Sequence, residues 1–166
     1  MKRFILITIM FLFAWNNISN AQNGIKIVEA FANDMQMWIK TDDISYREKL
    51  EEICVGGFCV DDELSRLIIK ESHLDSSDLM ISSYLNKVQS HIANIKISYS
   101  NFEAVTNSVE LARMNSKHEV EFIACDVLIE GAINLSMKEI FTVRNGKITR
   151  IFCINQKDYK EWKKVK

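Results

Sequence analysis

The sequence predicts a single α+β domain, with helices first and a mostly antiparallel sheet after them. Three observations carry that expectation. Apolar residues recur every three or four positions between Ile25 and Ile92, the period of one helical face. From Ile95 onward they alternate with polar residues, the period of a half-buried strand. The last two alternating runs meet at Arg144-Asn145-Gly146-Lys147, where Asn-Gly supplies the two positive-φ positions of a tight hairpin. A length of 166 residues suits one domain, and 48% apolar with 26% charged is a globular composition. With no proline in the chain, a stiff proline-rich linker between domains is excluded.

The first residues read as an export signal rather than as part of the fold. Lys2 and Arg3 precede an apolar run from Phe4 to Trp15, and Ser19-Asn20-Ala21 places small residues where a signal peptidase cuts. The run is shorter than the roughly 20 residues that a membrane-spanning helix needs. Cleavage after Ala21 is expected to leave one domain, residues 22–166, exported in soluble form to the periplasm or the medium. Losing Lys2 and Arg3 moves the formal charge from −1 to −3. Neither value suggests a nucleic-acid partner or an anionic membrane surface.

Along the mature chain, Ile25, Val28, Phe31, Met35, Trp38 and Ile39 outline a first helix. Thr41-Asp42-Asp43 stops it and caps a second, which starts near Ile44 with Leu50 and Ile53 inward and ends at a Gly56-Gly57 turn. Asp61 or Asp62 caps a third carrying Leu64, Leu67 and Ile68; a fourth opens at Asp75–Asp78 and carries Tyr84, Leu85, Val88 and Ile92. Ile95, Ile97 and Tyr99 form the first strand. Others are expected at Ala104–Met114, Glu119–Glu130, Leu135–Arg144 and Lys147–Asn155, with a turn at Met114–Lys117. In the tail, Tyr159 and Trp162 stand three apart among lysines, positioned to pack on the sheet or to meet a partner.

An oxidising compartment favours disulfides among the four cysteines. Cys54 and Cys59 enclose a flexible Val-Gly-Gly-Phe loop and are the expected pair; Cys125 and Cys153, both in strand-like segments, are either paired or free and buried. His73, His91 and His118 share no ligand spacing, so neither a metal nor another cofactor is expected.

The chain ends its sheet with Glu139-Ile-Phe-Thr-Val-Arg-Asn-Gly-Lys-Ile-Thr-Arg-Ile-Phe152. This strand, Gly-Lys-Ile turn and strand resembles the close of nuclear-transport-factor-2-like proteins, and the order of elements before it is similar too. The fourth helical segment and the double-glycine cysteine loop depart from the family pattern. The resemblance implies a strongly curved sheet wrapped around helices as a cone, a pocket in the concavity, and frequent homodimerisation through the sheet. Its members include isomerases, cyclases, dehydratases and non-catalytic binders, so the fold leaves the activity open.

Two places on the sheet suit chemistry. With two central residues in the hairpin turn, Val143 is expected to face Ile148, Phe141 to face Arg150, Glu139 to face Phe152 and Met137 to face Ile154. On that face Glu139 and Arg150 either orient a polar ligand or pair with each other at the margin, and Tyr99, Phe141 and Phe152 complete the ligand-binding candidates. Asp126 shares a face with Phe122, Ala124 and Leu128. Among apolar side chains a carboxyl acquires the raised pKa of an acid–base catalyst, whereas at a sheet edge it meets water. The leading expectation is a non-catalytic exported domain binding a small molecule, peptide or protein. The alternatives are an isomerase, cyclase or dehydratase using a pocket carboxylate as base, and a structural dimerisation module.

Overall fold

A computed structural model describes residues 23–61, 81–106, 120–131 and 134–164, with residues 55–61, 82, 83 and 87 described through their backbone alone. The expected signal peptide, the helix around Leu64 to Ile68, the turn at Met114–Lys117, His73 and His118 lie outside these residues, as does most of the strand expected at Ala104–Met114.

Helix α1 spans residues 23–41 and buries Val28, Phe31, Met35 and Trp38, the stripe that its spacing predicts. Asp42 leaves the helix in the left-handed region (φ 55°), and Asp43 then caps α2 (Ile44–Ile53) by accepting the Ser45 amide at 2.9 Å. Helix α3 (Ile81–His91) runs into a 3-10 turn (Ile92–Asn94). Arg47 ties α2 to α3, donating to Asn86 at 2.6 Å and Gln89 at 2.8 Å while its Nε sits 3.3 Å from Glu51.

Five strands follow the order β1-β5-β4-β3-β2. Strands β2 (Ile95–Val105), β3 (Val120–Gly131), β4 (Leu135–Arg144) and β5 (Lys147–Ile154) form an antiparallel meander. Ala104 and Val105, expected to open a separate strand, extend β2. Strand β1 (Cys54–Asp61) is a correction to the expected glycine turn: it leaves α2 directly and lies parallel to β5, with Cys54 opposite Ile148 and Cys59 opposite Arg150. Gly56 and Gly57 fall within the irregularity between those two positions. Lys147 reaches across to donate to the Glu52 carbonyl, a cation at the last turn of α2. Cys54 points into the helix–sheet core as a free thiol rather than bonding Cys59, and burial pushes its pKa up to about 12 against the pull of Lys147.

The hairpin turn is the expected one, with Asn145 (φ 51°) and Gly146 (φ 74°) both left-handed. Beyond it the register departs from expectation. Val143 pairs with Ile148, but Thr142 pairs with Arg150, so Thr149 is a bulge residue whose hydroxyl donates to the Thr142 carbonyl at 3.2 Å. A second irregularity in β2, between Ser100 and Glu103, contains Asn101 at φ 54°. Bulges of this kind add local twist and bend a sheet around what it covers.

Two cores result, one on each face. Under the helices, Ile123, Val127, Met137, Phe141 and Ile151 meet Phe31, Met35, Trp38 and Leu85. The opposite face carries α4 (Gln156–Lys164), unpredicted as a helix although its aromatics were expected to pack. Trp162 meets Phe122 and Phe152 with ring centroids 5.8 Å away in each case. Thus the outer face, where pairing with a second copy was expected, holds the chain's own helix over Phe122, Ile140 and Phe152. Lys138, only 6% exposed, fastens this layer: its Nζ lies 3.1 Å from Asp126 and 3.7 Å from Glu103. Glu103 also accepts the Tyr159 hydroxyl at 2.8 Å and pairs with Lys163.

Partial burial disfavours the charged forms of Asp126 and Glu103. Hydrogen bonds from Asn101, Gln156 and Lys138 to the first, and from Lys163 and Tyr159 to the second, outweigh it and hold both carboxyls below their ordinary values. A depressed folded-state pKa stabilises fully above the ordinary values of 3.8 and 4.5 and is lost as pH falls beneath them. Urea unfolding between pH 5 and pH 2.5 should therefore show a steep loss of stability that is visibly shallower in an Asp126→Asn, Glu103→Gln double variant. An unchanged slope would show that the network carries none of the acid sensitivity.

Candidate functional site

The bulge at Thr149 separates the residues that the sequence had grouped. Glu139 and Tyr99 face the helices, whereas Arg150 and Phe152 turn to the outer side, where the Arg150 guanidinium lies 4.7 Å from the Phe152 ring centroid. Glu139 faces Cys153 rather than Phe152, and Phe141 faces Ile151 rather than Arg150. Phe141 is fully buried with its ring edge-on to Phe31 at 5.4 Å, which makes it core rather than pocket wall. Asp126 is also corrected. It sits on the outer face, bonded to Asn101 at 2.7 Å and Gln156 at 2.8 Å, with a lowered pKa where a catalytic acid would need a raised one.

What remains on the inner face is a compact polar group around one carboxylate. Glu139 is only 3% exposed and lies in the ladder between Cys125 of β3 and Cys153 of β5. The Cys153 thiol donates to its Oε1 at 3.6 Å. Both cysteines are free thiols. They cannot bond each other, since β4 lies between them and two strand spacings come to about 9.5 Å, beyond the roughly 7 Å limit for bridged Cα atoms. Burial, then the charge of Glu139, pushes the Cys125 thiol well above its ordinary value, so it stays protonated and unreactive.

Tyr99 and Tyr84 join this group. The Tyr99 hydroxyl is buried and has no hydrogen-bond partner among the described residues. Its pKa stands well above the ordinary value, first because of burial and then because of the negative charge of Glu139. Tyr84, on α3, was read from the sequence only as part of a helical stripe. It lines the same cavity as Glu139, and nothing in helical spacing distinguishes such a residue from ordinary core.

Glu139 forms the polar end of an enclosed cavity of about 10 Å³, walled by Met35, Tyr84, Val88, Ile129 and Met137. That is room for about one water molecule. Outside it lies an open cavity of about 830 Å³ between the end of α1, the 3-10 turn and the first residues of β2. Ile39, Ile95 and Ile97 line both spaces and stand between them. A buried carboxylate lining a small, mainly apolar cavity can accept a proton from a group that reaches it, or orient that group.

His91 ends α3, with the Ser90 hydroxyl 2.8 Å from its Nδ1, and is exposed. Among the described residues no three His, Cys, Asp or Glu side chains converge as a metal site, and no helix is long and apolar enough to cross a membrane.

No family profile and no curated protein matches the chain in sequence. Among solved structures it is similar to TerC co-crystallised with polyporic acid, at 13% identity over 84% of this chain and 97% of that one, with a TM-score of 0.48. A candidate polyketide cyclase from Xanthomonas campestris pv. campestris gives 11% identity, 86% and 98% coverage and a TM-score of 0.46. A phenazine biosynthesis-related protein from Pseudomonas aeruginosa gives 11%, 85% and 91%, and 0.41.

The unpartnered Tyr99 hydroxyl yields a stability prediction. A buried hydroxyl without a partner costs free energy, so Tyr99→Phe should raise stability by about 1 kcal/mol in urea unfolding. A loss of similar size would mean that the hydroxyl is satisfied in the folded protein.

Proposed function

We propose that the cone admits a small carbonyl compound and that Glu139 acts on it as a general base. The observation that carries this reading is a buried carboxylate facing an apolar cavity, with a tyrosine hydroxyl beside it that has no partner among the described residues. Burying a carboxylate is costly, and a group kept in such a place suits proton transfer better than it suits stability. In the proposed step Glu139 takes a proton from the carbon next to the carbonyl. The electron pair of that C–H bond moves into the carbonyl as an enolate, and the protonated Glu139 then returns the proton to the same or another carbon. The hydroxyl of Tyr84, which lines the same cavity, is the proposed donor to the developing negative charge. Isomerisation and cyclisation both begin with this step, the reaction class that the family resemblance implies for its catalytic members.

The test uses methyl ketones of graded size in deuterated water, with exchange of the protons next to the carbonyl followed by proton NMR. Wild-type protein should accelerate exchange for at least one ketone, and Glu139→Gln should lower that rate by about 10²- to 10⁴-fold. Ketone binding without accelerated exchange would replace this reading with that of a non-catalytic binding domain.

Export is part of the same proposal, supported by the basic, apolar and small-residue segments before Gln22. Intact mass of protein recovered outside the cytoplasm should correspond to a chain beginning at Gln22. Recovery of the chain still beginning at Met1 would contradict it.

A further inference from the structure

Resting on cleavage after Ala21, we propose that Glu121 receives the α-ammonium group that cleavage creates on Gln22, so that removal of the leader adds an ion pair to the fold. Gly24 lies buried in the first turn of α1. Its backbone rests against β3: a Cβ there would stand 3.1 Å from Ile123 Cδ1 and would collide with Glu121 Oε2. Glycine is therefore what lets the Glu121 carboxylate reach the start of the helix. Glu121 is half-buried, opposite Val143 in the ladder and next but one to the fully buried Ile123. The dipole of α1 favours an anion in this place, and a partly shielded anion in turn favours a cation beside it.

Chain connectivity brings that cation. Gln22 directly precedes Asn23, where α1 starts, and is two positions before Gly24. Two residues span at most about 7 Å, so the Gln22 nitrogen stays within reach of a carboxylate that touches the Gly24 backbone. Before cleavage this nitrogen belongs to the neutral Ala21–Gln22 peptide bond. Hydrolysis breaks that bond, with water supplying the second oxygen of the Ala21 carboxylate and protons for the released amine. The amine is then mainly an ammonium at neutral pH. By itself an ammonium at a helix N-terminus is unfavourable, because the dipole already places positive charge there. Glu121 reverses that sign, and the mature chain is held more firmly than its precursor where α1 meets β3.

The experiment uses the chain from Gln22 to Lys166 with a free amine, before and after treatment with glutaminyl cyclase. The cyclase joins the Gln22 α-nitrogen to its own side-chain carbonyl carbon and expels ammonia. This removes the positive charge and leaves every lysine untouched. In the wild type, cyclisation should lower the melting temperature by about 1–3 °C, the effect of losing one partly exposed ion pair in a chain of this size. In Glu121→Gln the same treatment should raise it or leave it unchanged, because only repulsion by the dipole is then relieved. Gly24→Ala, whose Cβ displaces the carboxylate, should behave as Glu121→Gln does and replaces that variant if it does not fold. A rise or no change in the wild type, or an equal fall in either variant, would overturn the proposal. Cleavage and contact fail separately. Exported protein beginning elsewhere than at Gln22, with the reversal intact in the recombinant chain, removes the maturation step and keeps the contact. Exported protein beginning at Gln22, with no reversal, removes the contact and keeps the cleavage.

Discussion

Thr149 is passed over where β4 and β5 pair, and the sidedness of the C-terminal hairpin depends on that single bulge. In a strand, side chains alternate between faces, so one extra residue exchanges inside for outside for everything beyond it. Here the exchange sends Ile151 and Cys153 to the helix side and leaves Arg150 and Phe152 outside. Without it, Arg150 would stand across from Phe141 in the core, and Glu139 would have a cation within reach. With it, Glu139 lies between two thiols and beneath an apolar roof. The polar character of the inner cavity thus follows from backbone register, not from a change of residue type.

The two faces deal with their charges in opposite ways. On the outer face Lys138, Asp126, Glu103 and Lys163 neutralise one another and anchor α4 through Tyr159. Those charges are held at the rim of a packed layer, where water and several hydrogen bonds remain available to them. On the inner face the Cys153 thiol donates to Glu139 at 3.6 Å, and the Tyr99 hydroxyl nearby has no partner among the described residues.

Much of the architecture was legible because it depends on local periods. The α1 stripe, the Asp43 cap, the Asn145-Gly146 turn and the limits of β4 all follow from residues close in sequence. Strand β1 was not legible: Cys54–Asp61 carries two glycines and becomes a strand only because β5 lies alongside it. The site was half legible. Tyr99 and Glu139, two of the ligand-binding candidates, both face the helices, but Arg150 and Phe152 lie on the other face because a bulge leaves no mark in the alternation of types. Of the two readings open for Asp126 neither included its cation, because its apolar neighbours cover the outer face and Lys138, which pairs with it, comes from the adjacent strand.

Strand β1 also bears on the order of assembly. Its partner is β5, so Cys54 waits for Ile148, while the β4–β5 hairpin closes between near neighbours. Contacts that span so much chain carry a large loop-closure cost and form slowly unless local structure is already in place. The hairpin is the natural early unit, and the docking of β1, α2 and the Lys147–Glu52 contact is the step that closes the cone. The helices find β2, β3 and β4 earlier in the chain, so it is the edge strand β1 that has no partner until the last strand has left the ribosome.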